Sequence, residues 1–166
     1  IIAPFGEWHH YSSYRYCRDS VWKGNLKGLF KSKGQQVYQH YVAKQQTGKV
    51  SNDITAWKDL EIDEILKLCG PYIHKDYDGD PPIALGSAAG LVEMNISGVA
   101  NILPFTCMPG TIICAVSNDF KKDHHNIPWL NYAYDGQEDS SIETRLQAFM
   151  HQAKEFNENN GFDKPI

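Results

Sequence analysis

One cysteine lies between an apolar run and a helix-like segment, in the sequence PFTCMPG at residues 104–110. The run at 99–103 predicts a buried strand, and residues 111–120 predict a helix whose first turn begins near Pro109, a favoured opening residue. Free backbone N–H groups in that turn would favour the ionised sulfur of Cys107, making it a better nucleophile or metal ligand. The structural alternative is a small buried cysteine that packs as a hydrophobe, and position alone leaves both open.

The other three cysteines, Cys17, Cys69 and Cys114, form no CxxC pair and show no zinc-finger spacing. The sequence therefore encodes neither a local dithiol motif nor a self-contained zinc site. Disulfides are not expected in a cytosolic protein. A metal bound by Cys107 would need ligands from elsewhere.

A second candidate is the acidic segment YDGQED at 134–139, which brings three carboxylates onto a loop between a strand and a helix. These groups could perform acid–base chemistry. The favoured interpretation is structural, because Asp139 or Ser140 can cap the helix and negative charge stabilises a helix start. Arg145 could clamp an anion or pair with Asp135, and the structural pair is preferred.

The other motifs give weaker evidence for a functional site. Adjacent histidines at 9–10 and 124–125 point in different directions, so surface or loop positions are favoured over a shared metal ion. The acidic segment 76–80 is followed by two prolines and lacks the terminal glutamate of a calcium loop. The segment GSAAG at 86–90 lacks both phosphate-binding fingerprints, so close packing is the better interpretation.

Composition limits the class of protein. With 166 residues, 42% hydrophobic and 22% charged, the chain suits one soluble α/β domain plus an appendage. The net charge is −4 and the basic residues are scattered, which argues against a nucleic-acid partner. No apolar run approaches the roughly 20 residues that span a bilayer, so we expect a cytoplasmic protein without a membrane partner. The opening Ile1-Ile2 suggests a piece of a longer polypeptide.

Residues 81–166 alternate between strand-like and helix-like segments. The predicted strands are 82–85, 99–103 and 129–132, and the predicted helices are 86–97, the segment after Cys107, and a last helix that opens at Asp139 or Ser140. This alternation predicts a three-layer, Rossmann-like parallel sheet with right-handed crossovers. The turn at 104–110 and the loop at 133–139 would then lie on the same rim, where such sheets bind ligands.

Residues 1–80 are expected to form a mainly helical N-terminal segment. Apolar residues over 21–46 predict one long helix or two joined near Gly34, and a further helix at 62–68 follows a predicted cap at Asp59. Turn-forming residues at 70–82 mark the start of the α/β domain, which we place at 81–166.

Four segments in one order resemble a known family. They are NILPFTCMPGTI at 101–112, IPWLNY at 127–132, YDGQE at 134–138 and TRLQAFMHQA at 144–153. Together they resemble the C-terminal segment of the 2-hydroxyacyl-CoA (2-hydroxyglutaryl-CoA) dehydratase activator-related proteins, the CoA-substrate-specific enzyme activases, and more distantly the dehydratase subunits. The similarity is dense over 99–153 and loose over 1–98.

This resemblance implies a flavodoxin-like domain and an iron–sulfur cluster whose cysteine ligands come from several domains. It implies that Cys107 is the ligand contributed by the last such domain, and that a low-potential electron passes through the cluster to an acyl-CoA substrate. The ATP-binding motifs of the activator are absent from the sequence, and one thiolate does not hold a cubane. The isolated chain is therefore expected to lack the cluster and to be inactive alone.

Three functions follow as hypotheses. The leading one is a cluster-binding or electron-transfer domain of a fused dehydratase-activator protein, with other domains of the parent chain and an acyl-CoA dehydratase or reductase as partners. The alternative is a docking or regulatory module of the same fold that binds no iron. The third is a thiol enzyme, which needs a base near Cys107; His151 lies on the last predicted helix, but the sequence does not place it near the thiol.

Overall fold

A computed structural model of the chain describes residues 5–50, 60–136 and 141–160. Its elements are α1 (Phe5–Trp22), α2 (Leu26–Val50), α3 (Ile62–Leu68), α4 (Pro81–Val92), β1 (Val99–Pro104), α5 (Met108–Asp123), β2 (Trp129–Tyr134) and α6 (Ile142–Asn159). Contacts divide the chain into two compact units between Ile62 and Asp63. No helix of the described segments is long and apolar enough to cross a membrane.

The first unit contains a helical hairpin, in which α2 packs along α1. The reversal uses Gly24, whose φ is +64°, a conformation that glycine adopts without strain. Asn25 then caps α2, because its Oδ1 accepts a hydrogen bond of 3.0 Å from the N–H of Gly28. Helix α2 runs unbroken through Gly34, so the predicted break at that glycine is absent. The predicted segment 21–46 is interrupted at residues 23–25 instead, between α1 and α2.

Apart from Tyr11, the hairpin buries mainly small and polar residues, and it exposes several large apolar ones. Buried residues of the two helices are Tyr11, Ser13, Cys17, Ser20, Gly28, Ser32 and Gln39. A Cβ on Gly28 would lie 2.9 Å from Oγ of Ser20, so the Ser20 side chain occupies the space beside this glycine. The apolar positions that predicted α2 from the sequence therefore mostly do not form its packed face.

The second unit is built around a two-stranded parallel sheet. Strand β1 pairs with β2 in a register that runs from Val99 opposite Trp129 to Pro104 opposite Tyr134. Helix α5 connects the strands, since parallel neighbours need a crossover. It contacts both strands, and a Cβ on Gly110 would lie 2.6 Å from Cβ of Leu103. The predicted strands at 99–103 and 129–132 and the helix between them are confirmed.

The predicted three-layer, flavodoxin-like or Rossmann-like sheet is wrong. The chain is mostly helical, and the described residues contain two strands. The predicted strand at 82–85 lies inside α4, which starts with Pro81 in its first turn. Nine residues of α4 are buried, so its sequence is an almost continuous apolar run. Hydrophobic periodicity cannot distinguish such a buried helix from a buried strand.

The core of the second unit joins α3, α4 and α5. Gly86 of α4 lies against the backbone of Ile65 in α3, where a Cβ would collide. The ring of Phe120 is fully buried and lies 5.0 Å from the rings of both Tyr72 and Trp129. The small residues of 86–90 therefore serve close packing, which confirms the structural interpretation of that segment. The predicted helix at 62–68 is confirmed as α3, whereas its predicted cap Asp59 lies outside the described residues.

Candidate functional site

Cys107 lies at the N-cap of α5, three residues after the end of β1. Its backbone is tied on both sides: its N–H donates to the carbonyl of Pro104 at 3.0 Å, and its carbonyl accepts from the N–H of Thr111 at 2.9 Å. The hydroxyl of Thr111 also donates to this carbonyl at 2.9 Å. The thiol is half-buried and does not cap the helix. The turn therefore fixes the Cys107 backbone without using its sulfur as the cap.

The residue before it has an unusual backbone. Thr106 has φ of +66°, in the left-handed region that β-branched residues rarely occupy. Such a conformation costs roughly 1–3 kcal/mol and persists only where surrounding contacts impose it. The strained residue turns the chain from β1 into α5 and so determines where Cys107 begins the helix.

The acidic loop starts at the same edge of the sheet. Tyr134 is the register partner of Pro104, and its carbonyl accepts a hydrogen bond of 2.7 Å from the N–H of Phe105. This confirms that the 104–110 turn and the start of the 133–139 loop share one rim. Asp135 is exposed there. The other two predicted carboxylates and the predicted cap at Asp139 or Ser140 lie in 137–140, outside the described residues; the last helix begins at Ile142.

Several large apolar residues near this end of the sheet are exposed. They are Ile102, Phe105, Met108 and Tyr134, and we call them the Cys107 rim. They come from β1, β2, the turn before Cys107 and the first residue of α5, so all four lie close in sequence to the carboxyl ends of the strands. Exposed apolar groups that cluster in this way are typical of protein contact surfaces.

A polar network that the sequence analysis did not predict lies between the sheet and α5. Asn131 accepts hydrogen bonds at its Oδ1 from Nδ2 of Asn101 at 3.0 Å and from Nε1 of Trp129 at 2.8 Å. Its own Nδ2 donates to Oγ of Ser117 at 3.2 Å. The sulfur of Cys114 accepts from Nδ2 of Asn101 at 3.5 Å. The sequence contained a signal for this network, because Asn101 and Asn131 are each the third residue of a predicted strand and lie opposite each other in the parallel pair.

Arg145 joins α6 to β2. Its Nη2 donates to the carbonyl of Asn131 at 2.6 Å, and its guanidinium lies 5.6 Å from the ring centre of Tyr132. These contacts give the side chain a positioning role at the sheet. The predicted pair with Asp135 stays a prediction.

His124 and Tyr72 form a second cluster, at the other end of α5. Their Nε2 and hydroxyl atoms are 3.1 Å apart, and the His124 ring lies 4.3 Å from that of Phe120. Burial lowers the pKa of His124. Burial, with a hydrogen bond to Asp123 and its charge, raises the pKa of Tyr72 to about 12. The neighbouring His125 is exposed, whereas His124 is half-buried. The two adjacent histidines therefore have different surroundings.

The remaining candidates have ordinary structural roles. Cys69 is fully buried, its thiol donates to the carbonyl of Leu66 at 3.1 Å, and burial raises its pKa. His151 is exposed on α6 and lies 3.7 Å from a carboxylate oxygen of Glu155. The side chain of His9 lies outside the described residues.

An iron–sulfur cluster needs more protein ligands than the surroundings of Cys107 supply. Among the residues that the structure describes, no group of three or more histidine, cysteine or acidic side chains could hold a metal ion. The described residues therefore do not fit a self-contained iron–sulfur cluster, whereas one half-buried thiol fits the contribution of a single ligand.

No protein-family model, curated protein or solved structure matches the chain.

Proposed function

We propose that this chain is a cytoplasmic domain that contributes one thiolate, that of Cys107, to an iron–sulfur cluster completed by other domains of a longer polypeptide. The observation that supports it is the placement of the thiol. Cys107 is half-buried just after the carboxyl end of β1, its backbone is held by Pro104 and Thr111, and the exposed residues of the Cys107 rim belong to the same end of the sheet. The sequence resemblance assigns the ligand role to the same residue.

The chain's own residues would orient the ligand and exclude water. The hydrogen bonds at both backbone groups of Cys107 fix its Cα, so little conformational freedom would be lost when the sulfur binds iron. Contact between the Cys107 rim and the polypeptide that carries the other ligands would bury the sulfur. A bound cluster would supply one-electron transfer, and less solvent around it would tune the reduction potential. By the resemblance, the electron would pass to an acyl-CoA substrate, and an acyl-CoA dehydratase or reductase would be the partner.

A docking module that binds no iron is the alternative. The specific observation that favours it is the donor set, since the described residues contain no group of three or more histidine, cysteine or acidic side chains that could hold a metal ion. In that case the same apolar rim would hold the chain against its partner, and the thiol would have no ligand role.

Anaerobic reconstitution with iron and sulfide separates the two functions. We expect Cys107→Ser in the complete polypeptide to lower the bound iron and to change the visible absorption. Cys114→Ser is the matched control, because this half-buried cysteine lies in α5, seven residues after Cys107, and already accepts a hydrogen bond from Asn101. Unchanged iron content and an unchanged spectrum in Cys107→Ser would contradict the ligand role and support docking alone.

A further inference from the structure

Helix α2 carries an apolar stripe that nothing in its hairpin covers. The stripe consists of Leu26, Phe30, Val37 and Tyr41, all exposed. Phe30 is 79% exposed and Val37 is 72% exposed, values unusual for large apolar side chains in water. Spacings of four and seven residues place the stripe on one side of the helix over roughly 22 Å.

The opposite side of α2 is the buried one. It holds Gly28, Ser32 and Gln39, and the side-chain amide atoms of Gln39 have no hydrogen-bond partner within the described segments. A helix of a hairpin in water has the reverse arrangement, with apolar groups inside and polar groups outside. The stripe is therefore a surface for an apolar environment.

Charge restricts what that environment is. Lys33 borders the stripe on one side and Lys27 and Lys31 on the other, and all three are exposed. The sequence of α2 contains five lysines and no acidic residue over 25 positions. Two stripes from two copies of this chain would bring lysines towards lysines, which opposes self-association. The surface that this helix fits is apolar and negatively charged.

We propose that α2 lies flat on an anionic phospholipid bilayer, with the stripe among the acyl chains and the lysines at the headgroups. Lysine stems can follow apolar surface while their ammonium groups stay at the phosphates. Lysines on both flanks suit a flat charged surface that extends to either side of the helix. A helix in the interface needs no spanning run, so this proposal replaces the expectation that the chain has no membrane partner.

Flotation of the full chain with vesicles tests the proposal. We expect the chain to float with vesicles of phosphatidylcholine and phosphatidylserine, and to float weakly with phosphatidylcholine alone. Removing charge with Lys27→Gln, Lys31→Gln and Lys33→Gln should weaken binding about a hundredfold, since each of the three lysines near an anionic surface contributes about fivefold. High salt should have the same direction of effect.

The stripe is tested by Phe30→Glu with Val37→Glu, which should abolish flotation. Met150→Glu is the control, because Met150 is a similarly exposed apolar residue, at 63%, on α6. The variants change exposed positions, and circular dichroism of each variant checks that the helices remain. The proposal is overturned if the chain does not float with anionic vesicles, or if the Phe30 and Val37 variant floats like the unchanged chain. Self-association that depends on Phe30 and Val37 without vesicle binding would assign the stripe to a protein contact and overturn it equally.

Discussion

At the scale of the residue, Asn131 makes the densest set of polar contacts in the sheet. Its side chain bonds to Asn101, Trp129 and Ser117, and its carbonyl accepts from Arg145. An amide of this kind holds two strands in one register, because a slip by one residue would move it to the other face. We expect Asn131→Leu to lower the free energy of unfolding by about 2 kcal/mol, since its half-buried partners lose their hydrogen bonds.

Urea unfolding measures this effect, and two further variants serve as a control and as a test of the hydrogen bond to Asn101. Asn118→Leu, at an exposed position of α5, should change the free energy of unfolding by no more than about 0.5 kcal/mol. The double variant with Asn101→Leu should recover part of the loss, because it removes the donor that faces Asn131. A loss below about 0.5 kcal/mol for Asn131→Leu would show that the network does not stabilise the sheet.

Thr106 offers a test of backbone strain beside the cysteine. We expect Thr106→Gly to raise the free energy of unfolding by about 1 kcal/mol, because glycine adopts a φ of +66° without strain. Thr144→Gly, in the ordinary backbone of α6, should lower it by no more than about 0.5 kcal/mol. Thermal unfolding of both variants measures the difference. Destabilisation by Thr106→Gly would mean that the threonine side chain contributes more than the strain costs.

His124 should make the stability depend on pH. Because burial lowers its pKa in the folded state, the unfolded chain binds the proton more readily. Its contribution is complete above the unfolded pKa of about 6.5 and is lost as the pH falls through the lower folded value. We therefore expect His124→Phe, which keeps a ring against Phe120, to lose less stability than the unchanged chain between about pH 7 and pH 5. Equal losses in urea unfolding would contradict the burial of this imidazole.

At the scale of the element, Gly110 determines how closely α5 approaches β1. A Cβ there would lie 2.6 Å from Cβ and Cδ1 of Leu103, so Gly110→Ala must displace the first turn that carries Cys107. We expect a loss of about 1–2 kcal/mol in the free energy of unfolding, which exceeds the gain in helix propensity. Chemical denaturation measures it.

Gly34 in α2 is the matched control for that substitution. A Cβ at Gly34 has no atom within 4 Å. Gly34→Ala should therefore stabilise the chain by about 0.5–1 kcal/mol through helix propensity alone. Similar effects at Gly110 and Gly34 would show that the approach of α5 to the sheet tolerates a methyl group.

Elements whose sequences show a clear hydrophobic period were predictable, and elements without such a period were not. The crossover from 99–103 through α5 to 129–132 followed from two short apolar runs and a proline-opened helix, and it placed Cys107 at the strand end correctly. Helix α4 has apolar and small residues on all sides, so 82–85 carried no helical period to detect. The exposed side of α2 depends on which face α1 covers, which residue types alone do not determine.

At the scale of the whole molecule, the described part of the chain leaves much apolar surface in contact with solvent. Parallel sheets are normally covered on both faces, yet Ile102 and Tyr134 of the two strands are exposed. The α2 stripe adds a second such surface in the first unit. Both surfaces are accounted for by our proposals, the first by a polypeptide that carries further cluster ligands and the second by lipid.

The ligand role of Cys107 requires a reachable sulfur at the end of the sheet, and alkylation of the native chain followed by peptide mass spectrometry measures this directly. We predict that iodoacetamide modifies Cys107 while Cys69, fully buried and with its thiol donating to Leu66, stays unmodified until the chain unfolds. Protection of Cys107 equal to that of Cys69 would contradict the claim that the turn presents this thiol to a partner.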